Sequence, residues 1–456
     1  MSVVRGGSVV TEDGVFEGDL AMSGGVITAI GNDLEGATAL DAAGCWVLPG
    51  GIDPHIHPSL EGYSTTEPLL DDLADASAAG LFGGVTTIGA FVQRIPDKDI
   101  VEVMAGLIDY GNAEASGDFF MNGLLLPGDD VEAAIRGGAE LGVMSYKALV
   151  AYNKRGLMFD DESLLRLMAT VADVGGLTMI HAENGGGIDY LESLERARGV
   201  DNGSFLRAQP GVFEAEGMFR TATFAELTGT MLLFAHLTSK EGAAMLRRLK
   251  SGPYGHRIFC ETQPHYLALT NQEVLSRGPL GKVGPPLKED DDIAALWDVI
   301  ADGSLSHISS DHSPKSLEVK LATDDILDAT YGGIGGVEPM LPLIYELGHA
   351  TGRISIEDVA RITSTNAAIV HNIYPQKGTI RVGSDADLVV IPKDGPQVRI
   401  TPENLHGKSE YSLYESLTSS GFPRDVVRGG TVAVRDRTRT GNNPPGRYIG
   451  SVGRSS

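Results

Sequence analysis

The chain has 456 residues, 42% of them apolar, and 61 acidic against 36 basic side chains give it a formal net charge of −25. That balance leaves no basic stripe to neutralise phosphates, which argues against nucleic-acid or anionic-membrane partners and for an acidic, soluble surface. The two cysteines, Cys45 and Cys260, lie too far apart in sequence to read as a metal-binding pair. They also suggest no disulfide framework. The first residues carry no signal-peptide pattern and no window approaches ~18 apolar residues, so a cytoplasmic protein without a membrane span is expected.

Residues 1–50 hold short β-type runs such as Ser8-Val9-Val10, Leu20-Ala21-Met22 and Val26 to Ile30, broken by glycine turns. From Cys45 to about 372 the texture becomes an apolar strand followed by an amphipathic stretch, repeated. Eight strand candidates stand at 45–57, 84–92, 118–126, 143–151, 177–183, 231–238, 258–267 and 305–314. Helix-like stretches separate them, for example 97–115, 129–140, 160–175, 214–229, 240–250 and 291–302. The strands are near-continuous apolar runs, as parallel strands buried on both faces are. Eight alternations predict a (β/α)8 TIM barrel over 51–374. The glycine-punctuated β texture returns after 375, so 1–50 and 375–435 are expected to form one composite β-sandwich domain. The Gly-, Pro-, Asn- and Arg-rich stretch 436–456 is expected to be a C-terminal arm or a disordered tail.

In such barrels the active site lies at the C-terminal ends of the strands. The first candidate ends in His55-Ile56-His57, and side chains two apart on a strand share a face, so both imidazoles can grip one ion. The fourth carries Lys147 inside Val143-Met144-Ser145-Tyr146-Lys147-Ala148-Leu149-Val150. The fifth ends in His181, the sixth in His236 and the eighth in Asp311. Lys147 is the odd member. Burial in a strand drives a lysine toward its neutral amine, which beside a divalent ion can take up carbon dioxide as an anionic carbamate. Such a group has two oxygens with which to bridge two cations.

This set resembles the amidohydrolase superfamily, and within it the cyclic amidohydrolases: hydantoinases, dihydropyrimidinases, dihydroorotases and allantoinases. Connecting phrases are similar too, among them Pro49 to His55, His181-Ala182-Glu183-Asn184, Glu261 to Leu267, Asp311-His312-Ser313-Pro314 and Gly383 to Leu388. The resemblance implies two divalent ions, zinc being expected. His55, His57, carbamylated Lys147 and Asp311 would hold one, and the carbamate with His181 and His236 the other. It further implies that Asp311 shuttles a proton between a bridging hydroxide and the departing ring nitrogen. Tyr152, just past the fourth strand, would donate its hydroxyl to the developing oxyanion. A homotetramer or homodimer is expected on the same ground, with a small cyclic amide as substrate.

Dihydroorotases of the family carry an arginine two positions after His-x-His, where this chain has Ser59, so the hydantoinase and dihydropyrimidinase branch is favoured. Gly284 and Gly332 stand where that branch contacts the ring with backbone groups. Glu61, Tyr63, Ser64 and Thr65 make the loop after the first strand more polar than is usual there, and Lys154 and Arg155 follow Tyr152. The alternatives are a dihydroorotase- or allantoinase-like enzyme and, in another class, a dihydropyrimidinase-like scaffold without catalysis.

Overall fold

Gly50 divides the first apolar run between two sheets. The computed structural model describes every residue except 61–67, 94, 96, 442, 452, 455 and 456. In it Cys45–Pro49 pairs with Ser2–Thr11 and Leu388–Pro392, while Gly51–Ile56 pairs with Val85–Val92. The single strand expected over 45–57 is therefore two. A Cβ at Gly50 would stand 2.2 Å from Thr86 Oγ1 and 2.8 Å from Asp387 Cβ, so only glycine lets the chain cross between the layers there.

The barrel strands are β1 (Gly51–Ile56), β2 (Val85–Val92), β3 (Asp118–Leu124), β4 (Ser145–Leu149), β5 (Leu177–His181), β6 (Met231–Phe234), β7 (Ile258–Thr262) and β8 (His307–Ile308). They hydrogen-bond in chain order as one parallel sheet. An Ile56–His312 bridge, with the His57 N–H on the His312 carbonyl at 2.8 Å, brings the two edges together. Buried Asp53 reinforces the seam by accepting the Ser310 N–H at 3.0 Å and the Ser310 hydroxyl. Strand β8 is far shorter than the expected 305–314, because the chain leaves the ladder at once and Asp311 has a φ of +50°.

Helices Leu73–Phe82, Ile100–Glu114, Val131–Glu140 and Asp161–Asp173 follow the first four strands. Each opens on an aspartate, Asp72, Asp99, Asp130 or Asp160, whose carboxylate accepts a first-turn N–H. A carboxylate there satisfies an orphan donor and faces the positive end of the helix dipole, so part of the acidic excess is capping chemistry. The long segment 184–213 is helical for most of its length, over Gly185–Arg198 and Asn202–Ala208. Residues 340–370, where the apolar pattern names no helix, form further helical turns beside the barrel.

Among the described residues nine strands from both ends of the chain make the second, β-rich unit, eight on one hydrogen-bonded path and the ninth, Ala37–Asp41, pairing with Ser2–Thr11 beside it. Val4, Leu20, Ile27, Val47, Leu388 and Val427 fill its core. The path runs on to Thr438–Arg439, and the stretch beyond lies across the N-terminal ends of β3, β4 and β5. There Gly446, Ile449, Ser451 and Arg454 donate backbone N–H groups to the carbonyls of Ala115, Phe119, Gly142 and Gly175 at 2.6–3.1 Å.

Asp118, fully buried at the start of β3, ties these parts together. It accepts from Lys377 Nζ, from Arg428 Nη1 at 2.8 Å, and from the Arg447 guanidinium at 2.8 Å. Lys377 also reaches Asp387 at 2.6 Å and Asp385 at 3.0 Å, so the cation among these three carboxylates is the protein's own. Burial alone would raise the Asp118 carboxyl, but Lys377 and Arg447 hold it well below the usual carboxylate range. A depressed carboxyl stabilises the fold above its unfolded value near 4 and loses that contribution as pH falls. Replacing Asp118 by Asn should therefore cost roughly 3–5 kcal/mol in urea unfolding at pH 7, because it strands buried cations. The gap to the parent protein should narrow below pH ~4; a gap under 1 kcal/mol at pH 7 would contradict this account.

Candidate active site

Strand geometry delivers the first half of the site. His55, on β1, and His57, one residue past its end, have their Nε2 atoms 3.3 Å apart. Both face one carboxylate oxygen, Asp311 Oδ1, at 3.2 and 3.3 Å. Lys147 stands in the middle of β4 with Nζ 2.8 Å from His55 Nε2. Phe91, on β2, packs beneath all three: its ring stacks on His57 at 4.8 Å and lies 4.6 Å from Lys147 Nζ. The second half comes from the neighbouring strands. His181 ends β5 and His236 lies two residues past β6, with His181 Nδ1 2.9 Å from His236 Nε2. The His236 ring is 5.9 Å from that of His55, so the two halves adjoin.

The far nitrogens of two imidazoles are anchored by carboxylates. His55 Nδ1 meets Glu261 Oε1, and the other oxygen of Glu261 meets His307 Nε2 at 3.2 Å. His181 Nε2 meets Glu183 Oε2 at 2.7 Å. Each carboxylate fixes the ring so that its remaining nitrogen faces the cluster, as an outer partner does for a metal ligand. Burial sets the protonation. It brings His57 down to about 4 and His236 well below the usual histidine range, with Lys147 adding to both. Burial also lowers Lys147, against the opposing charges of Asp311 and Glu261. Asp311 is held well below the carboxylate range: burial opposes this, and His55 and His57 outweigh it.

Imidazoles, two of them held neutral by burial at His57 and His236, with a carboxylate and an amine pushed toward its neutral form are a donor set suited to divalent cations. His55, His57 and Asp311 offer ligand atoms all within 4.8 Å of one another. The His181–His236 pair provides two more nitrogens beside them. The sequence-predicted residues His55, His57, Lys147, His181, His236 and Asp311 are thus brought to one end of the barrel.

The cluster forms the floor of a cleft of about 250 Å³, and Tyr152, Gly284 and Gly332 line it. Tyr152, His236 and Asp311 all have left-handed backbones, with φ of +62°, +41° and +50°. For residues with a Cβ this costs of order 1–2 kcal/mol each, strain that concentrates where side chains must be aimed. A Cβ at Gly284 would lie 2.9 Å from the Tyr152 hydroxyl and 2.5 Å from the Tyr331 ring, so glycine is what lets these groups meet. Burial and nearby Glu183 push the Tyr152 phenol well above its usual range and keep its proton on. Of the two cations after Tyr152, Arg155 lines the cleft, whereas Lys154 turns to Glu192 at 2.9 Å. Ser59 donates its N–H to the Asp71 carbonyl at 2.7 Å. Glu61, Tyr63, Ser64 and Thr65 lie outside the described residues.

Sequence reasoning assigned no role to Glu261, Glu183, Phe91, Tyr331 or Lys315, the last two of which also line the cleft. Glu261 was open to the argument applied to Lys147, being an ionisable side chain inside a buried strand. Lys315 gave no such signal, because a lysine in a loop reads as solvated.

A cluster of candidate metal-binding side chains at the C-terminal rim of a (β/α)8 barrel, flanked by a composite β domain, is an arrangement suited to metal-assisted hydrolysis. The Amidohydrolase family model matches residues 150–433, and the chain belongs to that family. It is 33% identical to a D-hydantoinase of Ralstonia pickettii, covering 98% of both chains. It is 32% identical to an allantoinase of Solibacter usitatus, covering 95% of this chain and 94% of that one. Among solved structures, a D-hydantoinase superimposes with a TM-score of 0.92 at 31% identity over 99% of each chain. A dihydropyrimidinase from Brevibacillus agri NCHU1002 gives 0.91 at 28%, over 100% of this chain and 99% of that one.

If Glu261 aims His55, Glu261→Gln should lower the affinity for added zinc or manganese by about 10–100-fold in a chelator competition. An unchanged affinity would reduce Glu261 to a packing residue.

Proposed function

We propose that the protein opens an amide bond of a hydantoin-like or dihydropyrimidine-like ring by hydrolysis, giving a ureido acid. What supports the reading above all is the convergence of His57, His181, His236, a buried strand lysine and an aspartate on the floor of one cleft, with His55 buried directly against Lys147. The relatives named as D-hydantoinase point the same way. Two divalent ions, zinc by preference, would be held by His55, His57, Asp311 and a carbamate on Lys147, and by that carbamate with His181 and His236. When bound, such ions polarise a carbonyl and make water nucleophilic at neutral pH.

The chain's own groups do the rest. Asp311, held as a carboxylate, accepts the proton that the attacking water loses and returns it to the ring nitrogen as the C–N bond breaks. Tyr152, held as a phenol, donates its hydroxyl to the carbonyl oxygen as negative charge gathers there. Backbone groups at Gly284 and Gly332 border the ring's amide edge, and the hydrocarbon of Phe91 keeps one side of the floor dry. Retention of all six cluster residues disfavours the scaffold reading. Ser59, where dihydroorotases carry arginine, disfavours a dihydroorotase of the usual kind. A homotetramer or homodimer, in the reducing cytoplasm that two free, buried cysteines suit, completes the proposal.

Hydantoin, 5-substituted hydantoins, dihydrouracil, dihydroorotate and allantoin, each followed for ring opening, form the deciding panel. Turnover of hydantoins or dihydrouracil is expected, and no ring opening by metal-loaded protein would overturn the proposal. Lys147→Ala should abolish activity and regain part of it with added short carboxylic acids; full activity without them would refute the bridging role. Tyr152→Phe should cut kcat by about 10²–10³-fold, with a smaller change in KM. An effect confined to KM would remove Tyr152 from transition-state stabilisation.

A further inference from the structure

Asp311 is gripped from both sides. Before it, Ser310 is fixed by Asp53, and the Ser310 hydroxyl oxygen also accepts the His312 N–H at 3.1 Å. After it, the His312 ring reaches a second buried carboxylate, with Nε2 3.1 Å from Asp71 Oδ2. The Val337 N–H points at the other ring nitrogen at 3.4 Å, so Nδ1 accepts and Nε2 carries the proton donated to Asp71. Both side chains are fully buried, and neither is among the residues that line the cleft. The remaining contacts of Asp71 lead back to the same place. Its Oδ1 accepts the Lys408 N–H at 3.1 Å, and its carbonyl accepts the Ser59 N–H at 2.7 Å. Ser59 stands two residues past His57, whose own N–H donates to the His312 carbonyl at 2.8 Å. Next to Asp71, the Leu70 N–H meets the Pro314 carbonyl at 2.9 Å. The chain after β1 is thus tied to the chain after β8 on either side of His57 and Asp311.

We infer that Asp71 and His312 are positioning residues, which together hold the Asp311 carboxylate against His55 and His57 for metal binding and proton transfer. The proton-transfer half rests on the cyclic-amide reading; the metal half rests on the geometry of the cluster. Asp311 has a φ of +50°, a conformation that a residue with a Cβ leaves unless its neighbours forbid it. Fixing Ser310 sets where Asp311 begins, and fixing the His312 ring and carbonyl sets where it ends, so the direction of the carboxylate follows from the two. A packing role would ask only for side chains of the right size. What Asp71 provides is two acceptor oxygens for two buried donors, the His312 ring N–H and the Lys408 N–H. An asparagine has the same shape but one acceptor oxygen, so one of those donors would face an amide N–H. Moving the ring proton to Nδ1 only shifts the conflict to the Val337 N–H.

The test measures kcat and KM of metal-loaded protein on a ring that the parent opens, and affinity for added zinc or manganese in a chelator competition. Asp71→Asn should cut kcat by about 10–100-fold, with a smaller change in KM, and weaken metal binding by about tenfold. His312→Gln sets an amide N–H near the place of Nε2 and should keep kcat within about threefold of the parent. His312→Met, of similar size but without a donor, should fall as far as Asp71→Asn. Lys408→Ala removes the side chain paired with Asp75 and keeps the N–H on Asp71, so it should change neither kcat nor affinity. A loss confined to KM would assign the pair to the loop between Ser59 and Asp71 and overturn the inference. So would parental kcat and affinity in Asp71→Asn, or equal behaviour of His312→Gln and His312→Met. If Asp71→Asn does not fold, the contrast between the two His312 variants decides. If the parent opens no ring, affinity decides alone. Weaker metal binding in Asp71→Asn and His312→Met, with His312→Gln near the parent, then supports the positioning role while the cyclic-amide reading falls. Unchanged affinity without turnover sinks both.

Discussion

The constraint that orders this site is the cost of keeping Lys147 inside a barrel. A lone ammonium in an apolar interior pays several kcal/mol of desolvation unless it is paired or gives up its proton. Its surroundings offer a cation little: the face of Phe91 lies 4.6 Å away, a weak attraction, and its nearest polar contact is an imidazole nitrogen. Asp311 and Glu261 pull the amine toward charge, and burial pulls harder the other way. An amine in that position is chemically available, which is the property a bridging ligand needs. His57 and His236 are kept neutral by the same burial, so one physical term prepares several donors for cations at once.

Aim matters as much as protonation, and the fold supplies it through strained backbone and anchored rings. Three residues of the cleft, Tyr152, His236 and Asp311, adopt left-handed conformations just past β4, β6 and β8. Such geometry persists only where the surroundings over-determine it. Glu261 and Glu183 do the corresponding work for His55 and His181, each by occupying one ring nitrogen. The seam between β8 and β1 is pinned by Asp53 on Ser310, within two residues of His55 on one strand and one residue of Asp311 on the other. Closing the barrel thus also sets His55 and Asp311 side by side. The Asp118 network at the opposite end holds the bottom of the barrel to the β domain and the tail, away from the chemistry.

What the sequence made legible follows from how far each signal lies from its background. Eight apolar runs of strand length are a strong pattern, and an ionisable residue inside one, as at Lys147, stands out against it. The split at Gly50 was not legible, because Cys45 to Ile56 is apolar on both sides of the glycine and the reason for the break is a tertiary clash with Thr86 and Asp387. The brevity of β8 was hidden likewise, since the run to Pro314 reads as a strand until the backbone of Asp311 is seen. The turns over 340–370 carry no clean helical period, and two of the five are π-helical, with a spacing that departs from 3.6 residues.

Loop residues are the hardest case. Lys154 and Arg155 are adjacent, equally basic and indistinguishable by composition, yet one turns out to Glu192 and the other borders the cleft. Lys315 sits among Ser313, Pro314 and Ser316 with nothing to mark it, and only the fold buries its stem and brings it to Thr330. The floor of the cleft can be read from strands because burial filters what a strand tolerates. The rim cannot, because solvent tolerates almost any side chain until a neighbouring loop encloses it. The floor of the site is therefore written in the strands of this protein, while its rim is written in contacts between its loops.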